Sequence, residues 1–157
     1  MRRAIFKYMS TKKTILIIII LAVAIAGWFG WKEYSRTNRD LKKVTPDFVL
    51  TATQLITEFE SGDSIANHKY SGKIIELSGN VKNLEKDEKG FYTVVLGDSS
   101  QLSSVRCSLD TIHNPDAAGL RPGSSAIMRG ACAGYNKDDL GLGSDVLLNR
   151  CAVIKVK

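Results

Sequence analysis

Charge is absent from one stretch of this sequence, and cysteine, histidine and proline are scarce throughout. No Asp, Glu, Lys or Arg occurs from Ile15 to Trp31, and no acidic residue precedes Glu33. The 157 residues include three cysteines, two histidines and three prolines. No two cysteines form a C-x-x-C pair, which argues against a zinc knuckle or a thioredoxin-type site. His68 and His113 have no acid or cysteine at a telling spacing, so both are expected to be ordinary surface residues.

A basic surplus is also missing from the polar part of the chain. From Thr45 to Lys157 there are 12 Lys or Arg and 14 Asp or Glu, although the whole chain carries a formal charge of +6. The excess belongs to the residues that flank the uncharged stretch. Proteins that bind nucleic acid usually present a basic face, because neutralising phosphates supplies most of their affinity. The sequence therefore predicts that nucleic acid is an unlikely partner.

Motifs of catalysis and of cofactor binding are lacking as well. Asp138, Asp139 and Asp145 surround a glycine-containing loop, but their spacing does not match an EF-hand, and a solvated acidic loop is the favoured interpretation. Gly141-Leu142-Gly143 is not followed by the pattern of a phosphate-binding loop. We expect a protein that is not an enzyme, with no catalytic residue, no metal site and no cofactor.

The uncharged stretch itself predicts a transmembrane anchor at residues 15–31. It starts with seven branched aliphatic residues and ends in an aromatic cluster that suits the headgroup layer. At 1.5 Å per residue it spans roughly 25 Å, near the lower limit for crossing a bilayer. The pattern divides the chain into a basic flank (1–14), the anchor (15–31), a charged tether (32–45) and a folded domain (46–157).

The charged residues of the two flanks favour one orientation of such an anchor, although the flanks differ little in charge. Each flank has five cations, and only the second flank has acidic residues. A first helix with a short basic N-terminus usually keeps that end in the cytoplasm, so we expect a single-pass protein of the cytoplasmic membrane with a periplasmic or otherwise extracytoplasmic domain. Ala24-Ile25-Ala26 also fits a signal-peptidase site, and cleavage after Ala26 is the alternative to a retained anchor.

The polar part predicts one helix followed by five strands. Residues 47–60 have a helical rhythm, with Phe48, Leu55, Ile56 and Phe59 on one face, and residues 65–70 form a short turn or helix. From Lys73 the period changes to two, which predicts strands at 73–84, 91–98, 104–110, 125–135 and 145–155. A longer connection between the third and fourth strands favours a mainly β, five-stranded OB-type barrel, with a small sandwich as the alternative.

Several sequence pieces resemble a bacterial family. The run Tyr70–Val81 is similar to the opening "Y-x-G-K-x-x-x-(V/L)-x-G-x-V" of the tRNA_anti-like family. Later pieces, Val105-Arg106-Cys107, Gly130–Gly134 and Asp145–Cys151, follow in the same order, so the resemblance covers roughly residues 51–154. It implies an OB-fold domain of the kind often found behind a membrane or lipoprotein anchor. The family name records a likeness of fold to anticodon-binding domains, and no activity is carried over.

The barrel interpretation places the cysteines on the third, fourth and fifth strands. If the last two strands pair about a centre near Leu142, Cys132 faces Cys151, and an exported domain could oxidise that pair. Cys107 with Cys151 is the second choice, and three buried free thiols are the third.

OB domains usually bind ligands across their second and third strands, between two loops. In this chain that face would include Thr93, Arg106 and Ser108, with the loops at 85–90 and 136–144. We therefore expect a membrane-anchored, non-catalytic binding module for a peptide, a glycan or a small anion. One alternative is an assembly or interaction subunit of an envelope complex. The other is single-strand nucleic-acid binding, which rests on fold analogy and is disfavoured by the charge.

Overall fold

The computed structural model describes residues 11–34 and 39–156 and divides the chain into two compact units, Met1–Arg39 and Asp40–Lys157. Helix α1, Thr11–Tyr34, belongs to the first unit and contains the predicted anchor. The side chains of Leu16 and Phe29 lie outside the described part of the structure, as do residues 1–10 of the basic flank and 35–38 of the tether. Among the helices of residues 11–34 and 39–156, none is both long enough and apolar enough to cross a bilayer.

Residues 40–156 of the second unit form two α-helices and six strands, with two 3-10 helices at Leu41–Lys43 and Asn114–Gly119. In chain order the α-helices and strands are β1 Phe48–Thr51, α2 Ala52–Ser61, α3 Asp63–Tyr70, β2 Ile74–Lys86, β3 Tyr92–Leu96, β4 Ser104–Leu109, β5 Ser125–Asn136 and β6 Asp145–Val156. The last five correspond to the five predicted strands, whose alternating apolar residues form the core.

Strands β2 to β6 close into a barrel of the OB type. Long β2 pairs with β5 through its first half and with β3 through its second half, so one curved strand completes the ring. The ring order is β2–β3–β4–β6–β5, and only the β4–β6 pair is parallel. β6 lies between β4 and β5, as its apolar character on both faces predicts. The mainly β, five-stranded barrel is thus confirmed.

The residues before the barrel differ from the predicted single helix. Phe48–Thr51 is a strand, β1, parallel to the first half of β2, and the helix begins only at Ala52. Thr51 ends the strand because it caps α2: its hydroxyl accepts from the Gln54 amide at 3.1 Å, and its own amide donates to the Gln54 side chain at 2.9 Å. The helical rhythm correctly placed Leu55, Ile56 and Phe59 on the buried face, but Phe48 reaches the core from a strand.

The segment that enters the second unit packs against the barrel. A 3-10 turn at Leu41–Lys43 buries Leu41, which is 2% exposed. Arg129 of β5 holds this turn, because its Nη1 donates to the carbonyls of Lys42, at 3.0 Å, and Val44, while Glu76 of β2 pairs with the same guanidinium. The packed domain therefore begins at Asp40, inside the stretch 32–45 that the sequence assigned to a tether.

Candidate ligand-binding face

The predicted ligand residues share the outward surface of β3 and β4. Thr93 lies opposite Ser108, and Val95 lies opposite Arg106, in the antiparallel register of the two strands. The Thr93 and Ser108 hydroxyl oxygens are 3.4 Å apart, so each keeps most of its hydrogen-bonding capacity for another partner. The structure thus brings together the three residues that the sequence singled out, Thr93, Arg106 and Ser108, which we call the polar face.

Arg106 does not present a free positive charge on this face. Glu85 of β2 accepts a hydrogen bond from its Nη2, and Asp145 of β6 lies 3.8 Å from its Nη1. Asp145 is itself held by the Ser104 hydroxyl. Two carboxylates therefore flank one guanidinium, and the local charge around Arg106 is negative. Sequence reasoning missed this arrangement, because Glu85 reaches Arg106 from β2 across β3, and Asp145 comes from β6, whose parallel pairing with β4 leaves no signal in the local pattern.

An aromatic ring lies at one end of the polar face. The side chain of Phe91 is 38% exposed, and Phe91 directly precedes β3, two positions before Thr93. Asp87 orders the turn before it by accepting from the amides of Lys89 and Phe91, at 2.9 and 2.8 Å. Asn114 then ties that end of β3 to the following loop by accepting from the Tyr92 amide at 2.8 Å.

Exposed leucines lie at the other end. Leu102, Leu140 and Leu142 are 71%, 84% and 76% exposed, on the loop before β4 and on the loop between β5 and β6. The two loops are joined, because the Ser144 amide donates to the Ser103 hydroxyl at 3.2 Å. The polar face therefore lies between an aromatic end and an aliphatic end.

The wider surface carries more negative than positive charge. Residues 85–90, 106–110 and 136–145, which form the polar face and its loops, carry four cations and seven carboxylates: Lys86, Lys89, Arg106 and Lys137 against Glu85, Asp87, Glu88, Asp110, Asp138, Asp139 and Asp145. Lys82, which donates to the Gln101 and Leu102 carbonyls, and Asp98 add one charge of each sign at the loop before β4. Asp138 organises its own loop by accepting from the Leu140 amide at 3.0 Å. Within residues 11–34 and 39–156, no group of three His, Cys, Asp or Glu side chains is placed to hold a metal ion.

The expectation that His113 is an ordinary surface residue is wrong. Its side chain is buried, and its Nε2 lies 2.7 Å from Asp40 Oδ1 while its Nδ1 lies 3.4 Å from Asp116 Oδ2. The hydrogen bond from His113 lowers the pKa of Asp40 below the usual value. His113 thus fastens the start of the domain to the barrel. The sequence carries no signal for this contact, because Asp40 and His113 are far apart in the chain.

The cysteines are three buried free thiols in this structure. Cys132 lies opposite Leu148 and not opposite Cys151. The hairpin pairs Asn136 with Asp145, so its centre lies before Leu142, and a register shift between Cys132 and Gly134 moves the pairing one residue further. The predicted symmetric register is therefore wrong, and a Cys132–Cys151 disulfide would need the strands to slip. Cys107 is also opposite Leu148 in the strand register, but its thiol is a neighbour of the Cys151 thiol, so the second-choice pair stays a prediction. Burial raises the pKa of Cys151 well above its ordinary value, with a further contribution from the Cys107 thiol, and burial also raises the pKa of Cys132.

Known structures of similar fold include one lipoprotein and several tRNA synthetases. A lipoprotein of Klebsiella pneumoniae that carries a provisional nucleic acid-binding name matches with a TM-score of 0.53 at 18% identity, over 68% of this chain and 91% of that chain. Two synthetases of Entamoeba histolytica match less well. The asparaginyl enzyme has a TM-score of 0.42 at 16% identity, over 72% of this chain and 25% of that chain. The aspartyl enzyme has a TM-score of 0.45 at 8% identity, over 78% and 24%.

The chain spans only about a quarter of these synthetases, and the likeness to the lipoprotein supports the fold alone. No curated protein matches the chain. The family model of tRNA_anti-like proteins matches residues 6–152, which includes every motif that carried the resemblance. The chain therefore belongs to the tRNA_anti-like family.

Proposed function

We propose that this protein is a membrane-anchored, non-catalytic binding module whose OB domain presents the polar face to an uncharged polar ligand outside the cytoplasm. The observation that carries the proposal is the pairing of Arg106. OB domains bind across the surface that β3 and β4 form here. The guanidinium on that surface is already neutralised by Glu85 and Asp145, so the surface favours hydrogen bonding to a neutral ligand over attraction of an anion.

Membrane anchoring is supported by the residues of α1. The helix has 24 residues, and the run 15–31 within it has no charged residue. Its described large aliphatic side chains and its tryptophans are exposed within their own unit. Exposed apolar surface of this extent favours contact with another apolar phase. The uncharged run spans roughly 25 Å, near the lower limit for crossing a bilayer, and this property of the sequence supports the proposal.

An assembly subunit of an envelope complex is the second candidate, and the leucine end of the polar face favours it. The side chains of Leu102, Leu140 and Leu142 are 71%, 84% and 76% exposed, so three large aliphatic side chains face solvent at this end. Clusters of this kind mark protein interfaces. A subunit that binds through this end would still use the anchor to hold it at the membrane.

Topology is tested with two fusions to Lys157. Alkaline phosphatase folds only outside the cytoplasm, and green fluorescent protein exported in unfolded form does not fluoresce there. We expect an active phosphatase and a dark fluorescent fusion. An inactive phosphatase with a bright fluorescent fusion would show that the domain faces the cytoplasm.

Anchoring is tested by carbonate extraction of the intact protein from membranes. Val23→Lys puts a charge in the middle of the apolar run and should release the protein, because a central charge opposes insertion by about 3 kcal/mol. Val23→Leu is the matched control and should stay in the membrane pellet. Release of both variants, or of neither, would contradict a retained anchor at 15–31.

A further inference from the structure

The charges of the polar face restrict the class of ligand that it can bind. OB domains use this surface for oligonucleotides and for oligosaccharides. Oligonucleotide binding needs a positively charged groove together with stacking aromatic rings. Here four cations face seven carboxylates, and the central cation, Arg106, is paired with Glu85 and Asp145. Of the two ligand classes, only the uncharged one is compatible with this charge.

The remaining groups match what a sugar offers. A pyranose ring has an apolar face of C–H groups, which pack against an aromatic ring, and a rim of hydroxyls, which both donate and accept hydrogen bonds. Phe91 provides an exposed ring at the start of the polar face. Thr93 and Ser108 provide two hydroxyls 3.4 Å apart, each able to donate and accept. Asp110 directly follows β4, two positions after Ser108, and is half-buried; its carboxylate can accept from hydroxyls.

The same surface is poorly suited to an extended peptide. A peptide that binds a sheet by its backbone needs a strand with an unpaired edge. β3 is hydrogen-bonded to β2 and β4, and β4 is hydrogen-bonded to β3 and β6. Both strands of the polar face therefore have their backbone groups occupied, and only side chains are left for recognition. Side-chain hydroxyls and carboxylates beside an aromatic ring suit the hydroxyls of a saccharide better than the amides of a peptide.

We infer that the polar face binds a neutral oligosaccharide, with Phe91 stacking on one sugar ring and Thr93, Ser108 and Asp110 hydrogen-bonding to the next. The inference rests on the proposed function, since it names the ligand class of the same surface. The ordered turn at Asp87 holds Phe91 in place before the ligand arrives, which reduces the entropy lost on binding.

The test uses the full chain in lipid nanodiscs and isothermal titration with three neutral hexasaccharides: cellohexaose, hexa-N-acetylchitohexaose and maltohexaose. We expect saturable binding of at least one, with a Kd between about 10 μM and 1 mM, which is modest because the site is open. Heparin, a sulfated polysaccharide, should not bind, because carboxylates outnumber cations around the face.

Three variants locate the binding. Phe91→Ala, and the double change Thr93→Val with Ser108→Ala, should each weaken the hexasaccharide at least about fivefold, the loss expected for one stacking or hydrogen-bonding contact. Ile65→Ala is the matched control: Ile65 is an exposed aliphatic residue on α3, away from the face, and its change should leave the Kd unaltered. Binding that all three variants retain would place the sugar elsewhere and overturn the inference.

Hydrogen exchange of β3 and β4 separates the inference from the proposed function. If the hexasaccharides fail to bind at about 5 mM while a mixed peptide library protects the polar face, the inference is overturned and the binding module remains. If single-stranded nucleic acid protects the face, or if no ligand of any class does so, the inference and the proposed function both fail.

Discussion

Gly130 lies in the middle of β5, where the barrel wall passes directly over another strand. A Cβ at this position would be 2.4 Å from the Cys151 sulfur and 3.2 Å from the Leu148 Cβ, closer than side chains pack. Both neighbours are buried and cannot move into solvent. The residue is therefore fixed as glycine by the close approach of β6, whose bulge at Arg150 turns Cys151 inward.

Gly130→Ala should destabilise the protein by about 1–3 kcal/mol, the usual effect of overpacking a core. Gly119→Ala is the matched control, since a Cβ there meets nothing within 4 Å. Urea unfolding of the full chain in detergent, followed by far-UV circular dichroism, gives both values. Adding Cys151→Ala to Gly130→Ala should recover part of the loss, because it removes the nearest atom. Equal stability of the two glycine variants would show that β6 does not approach β5 so closely.

Glu58 is a carboxylate whose ionisation should stabilise the fold at acid pH. It accepts hydrogen bonds from Lys69 Nζ at 2.9 Å and from the Tyr70 hydroxyl at 2.8 Å, and these two contacts lower its pKa, with Lys69 contributing most. A carboxyl with a lowered pKa in the folded state stabilises the protein above its unfolded pKa, and the stabilisation is lost as pH falls through the folded value.

The urea midpoint of the wild type should therefore fall between pH 5 and pH 3 more steeply than that of Glu58→Gln, because the amide does not titrate. At pH 7 the variant should be slightly less stable than the wild type. Glu88→Gln, a change in the exposed turn after β2, is the control and should follow the wild-type curve. Parallel curves for wild type and Glu58→Gln would contradict the assigned role.

At the scale of elements, Arg129 is one of several contacts that hold the 3-10 turn Leu41–Lys43, beside the burial of Leu41 and the Asp40–His113 contact. The Arg129 guanidinium donates to the carbonyls of this turn and is itself held by Glu76. Removing it takes a donor from these partly exposed carbonyls and frees the Glu76 carboxylate. The entry segment is therefore expected to detach before the barrel unfolds.

Arg129→Ala should raise the hydrogen exchange of residues 41–44 and expose Lys42 and Lys43 to trypsin, with a loss of stability of about 1–3 kcal/mol. Arg129→Lys keeps the charge but lacks the forked donors, so it should fall between the alanine variant and the wild type. Arg121→Ala is a control at an exposed position outside the segment's contacts. Unchanged trypsin cleavage in Arg129→Ala would show that the turn is held by Leu41 burial and the Asp40–His113 contact alone.

The strands were largely predictable, because their apolar residues recur with a clear period of two. Alternation placed five strands close to their observed limits, since one face of each strand is core and the other is not. The helix start was misplaced because Phe48 fits the helical stripe of Leu55, Ile56 and Phe59, and the capping role of Thr51 became visible only with the structure. The entry segment was taken for tether because a single apolar residue, Leu41, gives no periodicity.

At the scale of the molecule, the sequence did not predict the contacts between residues that are far apart in the chain and that the barrel brings together. The sequence correctly placed Thr93, Arg106 and Ser108 on one outward surface, because side chains of neighbouring strands alternate in step. The partners of Arg106 come from β2 and β6, and the contact of His113 with Asp40 joins residues 73 positions apart. The predicted register of Cys132 with Cys151 was wrong because the position of the turn and the register shift next to Cys132 leave no signal in the local pattern.

The central claim is that the polar face carries too little positive charge to bind nucleic acid. Fluorescence anisotropy with the domain, residues 40–157, and mixed-sequence single-stranded DNA and RNA tests it most directly. At physiological salt we predict a Kd no tighter than about 100 μM for the wild type, because few phosphates can be neutralised. Glu85→Gln should tighten it by freeing Arg106, while Glu88→Gln on the adjacent turn should have less effect. A wild-type Kd below about 1 μM that weakens steeply with salt would contradict the account.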